Sequence, residues 1–277
     1  MEVPQKISPT ITKGLILQKT IQMGTNRPAG SLYTKIENRT ATIEFGHPAS
    51  NSFVSELLDR LTNELKKVSS NEAVSIVVLK SEGDRAFCSG ASFDELLAIS
   101  NAEEGTTFFS GFANVINAMR ECVQPIIGRV QGKAVGGGVG LIAACDYVFA
   151  SEAASVRLSE LSIGIAPLVI APAVQRKIGI AGFTELALSP TEWKNAYWSK
   201  EKGLYSKVYN SIKEMDKELD FFISTLASYN PEALRAIKKI LWEDTTSWSE
   251  LLINRAEFSG KLVLSPTSKE KLKSLKK

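Results

Sequence analysis

An α/β fold wound from β-β-α units and closed by a helical C-terminal region is the class this sequence predicts. Two segments of period-two alternation meet at a short polar turn, then an amphipathic stretch and a buried apolar run follow. The same order of signals recurs in looser form. From about residue 211 the period changes to that of amphipathic helix almost continuously.

Leu32 to Ile36 and Ala41 to Phe45 alternate as half-buried strands, with Asn38-Arg39 as the hairpin turn. Ser52 is placed to cap a helix running to about Val68, with Phe53, Leu57, Leu58, Leu61 and Leu65 on one face. Ser75 to Lys80 reads as a buried strand ending in the polar turn Glu82-Gly83-Asp84. After Ala86-Phe87-Cys88-Ser89-Gly90-Ala91 comes a helical region to about Cys122, and Pro125 opens a strand through Ile126, Ile127 and Val130. A glycine turn leads to helix over Leu141 to Cys145, and Tyr147 to Ala150 and Val156 to Leu158 are short strands. Asn230-Pro231 and Ser265-Pro266 mark later helix starts. Residues 1–30 read as an N-terminal extension, 31–210 as the wound core and 211–277 as the helical region, which covers its own core or a neighbouring subunit.

Composition removes several function classes. The net charge of +3 arises largely from Lys269, Lys271, Lys273, Lys276 and Lys277, a tail effect that gives no nucleic-acid-binding face. Cys88, Cys122 and Cys145 are odd in number and lack C-x-x-C spacing, which fits a reduced, cytoplasmic protein. No stretch approaches the roughly 20 apolar residues of a membrane span. Residues 1–30 are nearly free of acids and have no apolar signal block, and the scarcity of Arg argues against a mitochondrial presequence. The single histidine, His47, precedes Pro48 and belongs to a turn. Serine, cysteine and zinc hydrolases therefore drop out, and no metal site is expected.

The chemistry concentrates in two loops and one carboxylate. Gly136-Gly137-Gly138 stands directly before an apolar, Ala-rich stretch, leaving backbone N–H groups uncovered where a helix begins. Ala86 to Ser92 is a second glycine-loosened loop at a helix start. One donor from each could converge on a carbonyl oxygen and stabilise negative charge there, with Glu160 as a general acid/base.

Together, Ala86 to Ser92, Gly132 to Gly138, Cys145-Asp146 and Ser159-Glu160 with Gly164 closely resemble the crotonase (enoyl-CoA hydratase/isomerase) superfamily. The resemblance implies a crotonase-like spiral with a C-terminal helical trimerisation region, and a homotrimer or dimer of trimers. It implies an acyl-CoA substrate with no separate cofactor. It matches the Ala91 and Gly137 amides to the oxyanion hole for the thioester oxygen, and Glu160 to the acid/base at the α/β carbons. It places Ala86, Phe87, Ser89 and Gly90, with Asn51 from the loop Asn51-Ser52-Phe53, beside the CoA. One oxyanion donor is typically worth about 3 kcal/mol of barrier.

Two-glutamate hydratases of this superfamily carry a second Glu two residues after the triple glycine, where this chain has Gly140. Gly-Gly-Gly-Val-Gly-Leu, with the segments around Glu160 and Pro167, looks like the methylglutaconyl-CoA hydratase branch. That resemblance favours hydration of a branched or carboxylated enoyl-CoA. Double-bond isomerisation through one glutamate, decarboxylation of a glutaconyl-type thioester and a non-catalytic CoA-binding paralogue stand beside it. Arg157, Arg176, Lys133 or Lys177 could pair with a substrate carboxylate, and Ile165 to Pro172 is expected to line the acyl pocket. Asp94 and Glu95 are expected to complement a helix dipole, Asp146 to bond backbone, Cys88 to be inert, and the four tryptophans to pack helices.

Overall fold

The computed structural model describes residues 27–275, so the expected N-terminal extension lies almost wholly outside the described residues. Strands β1 (Ser31–Glu37) and β2 (Thr40–Gly46) pair antiparallel across Asn38 and Arg39. Both turn residues have positive φ, 48° and 64°, the conformation that matches a hairpin turn to the strand twist.

Helix α1 (Ser55–Ser69) buries Leu57, Leu58, Leu61 and Leu65, as the spacing predicts. Its cap is not Ser52. Val54 occupies the N-cap without a side-chain bond, and Glu95 Oε2 instead accepts from Ser55 N (2.9 Å) and Ser55 Oγ (2.7 Å). A carboxylate from a distant element serves the exposed amides of this helix end.

β3 (Ile76–Ser81) then leads through the 86–92 loop to α2 (Phe93–Ala98) and α3 (Ala102–Glu121). The next turn supplies β4 (Ile126–Val130), β5 (Ala134–Val135) and α4 (Gly137–Ala144). Helix α4 begins four residues before the expected Leu141, because the glycines themselves adopt its first turn. β6 (Tyr147–Ser151), β7 (Ser155–Arg157) and a 3-10 turn over Glu160–Ile163 follow. The chain continues with α5 (Ala171–Leu188, broken at Gly179), β8 (Lys194–Asn195), α6 (Ala196–Glu201) and β9 (Lys207–Tyr209).

After the opening hairpin, successive strands enter different sheets, β4 and β6 the larger and β5 and β7 the smaller. The larger sheet has order β1-β2-β3-β4-β6-β9, parallel except at β1-β2. The smaller has order β5-β7-β8, extended by a parallel bridge from Cys88 to Ala134. This alternation between sheets is the spiral.

Helices α7 (Ile212–Ala227), α8 (Pro231–Leu241), α9 (Trp248–Leu262) and α10 (Pro266–Leu275) complete the chain. Met215 and Leu219 of α7 and Leu234 of α8 cover the second face of the large sheet at Ile76, Val78, Ile127 and Phe149. The helical region thus packs on its own core. Asp146 ties it down, accepting from Ile126 N (2.7 Å), Lys238 Nζ (2.8 Å) and Trp242 Nε1 (2.6 Å). Asp146 is expected to fix the local chain through backbone, but its side-chain-to-backbone bond runs to Ile126 on β4, within a larger buried network.

Candidate active site

The loop over residues 86–92 is held from both sides. Asn51, at φ 57°, donates through Nδ2 to Glu82 O and Ala86 O, both at 2.9 Å, while its Oδ1 accepts from His47 N. Phe87 N and Val135 N tie the loop to the β4–β5 connection through Lys133 O and Cys88 O, each at 2.9 Å. Phe53 N donates to Gly90 O and Ser92 N to Phe53 O, leaving the intervening Ala91 N–H without an acceptor among the described residues. Gly137 N, in the first turn of α4, is likewise without one.

Gly136 lets the Glu160 carboxylate approach the start of α4. Its φ of 52° favours glycine, its N–H donates to Arg157 O (3.0 Å), and a Cβ there would lie 2.9 Å from Glu160 Oε1. The carboxylate therefore rests against bare backbone at the N-terminus of α4.

Ala91, Gly137 and Glu160 line one cavity of about 560 Å³, together with Ser89 and Gly90. Phe109, Phe112 and Ile165 to Ile170 form its apolar wall, as expected of that segment. Glu160 Oε2 is buried and has no hydrogen-bond partner among the described residues. Burial, slightly opposed by a backbone hydrogen bond, pushes the Glu160 carboxyl up to about 7. A carboxyl that changes charge near neutrality can both take and give a proton there.

Other residues matched to the CoA loop lie behind the cavity. Phe87 is fully buried with its ring 5.4 Å from that of Phe45, and the Asn51 amide is spent on loop carbonyls. Ala86 contributes its carbonyl to Asn51 and Gln131 and does not line the cavity. Cys88 is buried, and burial pushes its thiol up to about 12, so it stays protonated and unreactive.

The four candidate cations separate cleanly. Lys177 donates to Cys145 O (2.7 Å) and Asp146 O (3.0 Å), capping α4. Arg176 stacks over Trp242 at 4.1 Å. Lys133 is exposed and lies 4.8 Å from the Trp193 ring centre. Arg157 alone of the four lines the cavity. Trp242 and Trp248 pack together as expected, but Trp193 instead carries Arg157 at 4.5 Å, a role with no signal in the sequence.

A wound α/β core with one buried carboxylate beside two uncommitted amides belongs to the crotonase class of fold. Residues 35–276 match the family model described as enoyl-CoA hydratase/isomerase, and the chain is an acyl-CoA enzyme of that family. It is 26% identical over 235 residues to the peroxisomal Delta(3,5)-Delta(2,4)-dienoyl-CoA isomerase of Arabidopsis thaliana, covering 80% of this chain and 81% of that one. It is 31% identical to the mitochondrial methylglutaconyl-CoA hydratase of Rattus norvegicus, covering 68% of this chain and 60% of the relative. Among solved structures, an enoyl-CoA hydratase from Bacillus halodurans superimposes with a TM-score of 0.81 at 19% identity, covering 88% of this chain and 99% of that one, a likeness of fold.

Proposed function

We propose that the chain hydrates an α,β-unsaturated, branched or carboxylated acyl-CoA, with the Ala91 and Gly137 amides holding the thioester oxygen and Glu160 as the acid/base. The observation that carries this reading is the shared cavity of those three groups. Water oxygen bonds to C3 while the C2–C3 π pair moves toward the thioester, giving an enolate whose oxygen accepts from the two amides. Glu160 takes a proton from the attacking water and returns one to C2, ending in the charge state in which it began. The loop at Ser89 and Gly90 runs along the CoA moiety. The name of the rat relative supports a branched, carboxylated substrate.

A second reading, migration of the double bond between the C3–C4 and C2–C3 positions with a proton carried between C2 and C4, rests on a different observation. A side chain at Gly140 is excluded by Ile170, so the wall near α4 is apolar and offers no second carboxylate to orient water. Glu160 would then remove a proton at one carbon and return it at another, the thioester enolate lying between.

Purified protein incubated with crotonyl-, 3-methylglutaconyl- and 3-enoyl-CoA separates these readings by product mass. Gain of one water supports hydration, and unchanged mass with a moved double bond supports isomerisation. Loss of carbon dioxide would mean decarboxylation. CoA binding with no turnover of any thioester, equal to that of Glu160→Ala, would make the protein a non-catalytic binder. The proposal includes a homotrimer or dimer of trimers, and light scattering that finds a stable monomer would overturn that part.

A further inference from the structure

Arg157 is placed and left unemployed in a way that the reaction at Glu160 does not require. Its backbone carbonyl accepts from Gly136 N, which fixes the residue at the end of β7, and its side chain lines the cavity that holds Glu160. The guanidinium carbon lies over the Trp193 ring, 4.5 Å from its centre. Trp193 carries a second cation, Lys133, so the ring is held in place by two charges. A guanidinium held over an aromatic ring spends none of its N–H donors on it, and they stay available for two-point bonding to an oxyanion. Among the described residues the Arg157 side chain has neither an ion-pair nor a hydrogen-bond partner, and its Nε is buried without one. A buried donor with no acceptor is costly, and a ligand oxygen removes that cost.

Resting on the acyl-CoA reading above, we propose that Arg157 is a specificity-determining residue that binds a carboxylate at the distal end of the acyl group. The preferred substrates are then dicarboxylic acids carried as mono-thioesters. The surroundings agree with that placement. Thr191 and Ser159 line the cavity with Arg157 and add polar groups to it, whereas the segment from Ile165 to Ile170 is apolar. An uncharged acyl tail would gain nothing from the cation and would leave it unpaired. The CoA phosphates are the other source of anionic oxygen in the same ligand, and the measurement below separates the two.

Calorimetric binding of unreactive saturated thioesters tests the assignment without needing turnover. Succinyl-, glutaryl- and adipyl-CoA are compared with butyryl-, pentanoyl- and hexanoyl-CoA, and free CoA is titrated alongside. Wild type is expected to bind at least one dicarboxylic thioester about 10- to 100-fold more tightly than its partner of equal length. In Arg157→Leu that ratio falls to about one, and Arg157→Lys retains part of it. Absence of the preference in wild type, or its persistence in Arg157→Leu, overturns the proposal. Equal weakening of every thioester and of free CoA in Arg157→Leu also overturns it, by assigning the cation to a phosphate. If the preference is present but no enoyl-CoA is turned over, the acyl-CoA hydration reading fails while the carboxylate site stands.

Discussion

Ile170 stands in the space that a side chain at Gly140 would need: a Cβ built on that glycine would lie 2.7 Å from Ile170 Cβ. The two residues come from α4 and the N-cap of α5, elements packed against each other beside the cavity. The missing second glutamate is therefore not an empty slot awaiting water. An isoleucine closes it.

Gly140→Ala is expected to destabilise the fold by about 1–3 kcal/mol, the usual cost of overpacking a filled core. In an Ile170→Ala background the same change costs less, because the nearest obstructing atom, the Ile170 Cγ2 methyl, is gone and only Cβ remains. Urea unfolding of the four proteins measures this coupling, and strictly additive losses would contradict the contact.

Glu160→Gln removes the proton carrier but keeps the shape, and kcat/KM should fall by about 10²- to 10⁴-fold. The wild-type profile should rise with an inflection near pH 7, since the step begins with the ionised carboxylate. Stability runs the other way. The folded state holds its proton up to about 7 against an ordinary 4.5, so the stabilising contribution is full below 4.5 and lost as pH rises through 7. Denaturation midpoints across that window should decline in wild type and flatten in Glu160→Gln.

Ala91→Pro deletes a single N–H that serves no acceptor among the described residues, so no native hydrogen bond is lost with it. Its expected effect is a fall in kcat of about 10²- to 10³-fold, the loss of one oxyanion donor. A thermal melt run alongside reports whether the fold is retained. Full activity in a folded variant would remove the Ala91 amide from the reaction.

Lys238→Met leaves Asp146 buried without its cation, a change expected to cost about 3–5 kcal/mol in urea unfolding. Replacing both, as Asp146→Asn with Lys238→Met, should recover part of that loss, because the stranded charge goes with its partner. A double variant weaker than the single would mean that the Ile126 and Trp242 bonds to Asp146 outweigh the ion pair.

The sequence made some of this architecture legible and concealed the rest for physical reasons. Asn38-Arg39, the strand alternation and the α1 face depend on local chemistry, and each is where its neighbours in sequence imply. The cap of α1 depends on Glu95, forty residues away, and local reasoning chose Ser52 instead. The glycines before Leu141 looked like a turn because glycine is a poor helix former. Tertiary packing makes them the first turn of α4, with Gly137 against Phe112 and Gly138 against Cys88. Short strands such as β8, only two residues long, carry no period to detect. Glu160 and the two loops stood out through motif spacing. Separating Arg157 from Lys133, Arg176 and Lys177 required knowing which cation lines the cavity.

The indole beneath Arg157 also gives the cavity an optical signal. Trp242 and Trp248 are buried against each other, and the Trp198 N–H is committed to Glu185, whereas Trp193 is partly exposed with two cations at its ring. A ligand carboxylate that pairs with the guanidinium alters the electric field at one fluorophore out of four. Occupancy can then be followed through the protein's own ultraviolet emission, with no dye attached and no coupled assay.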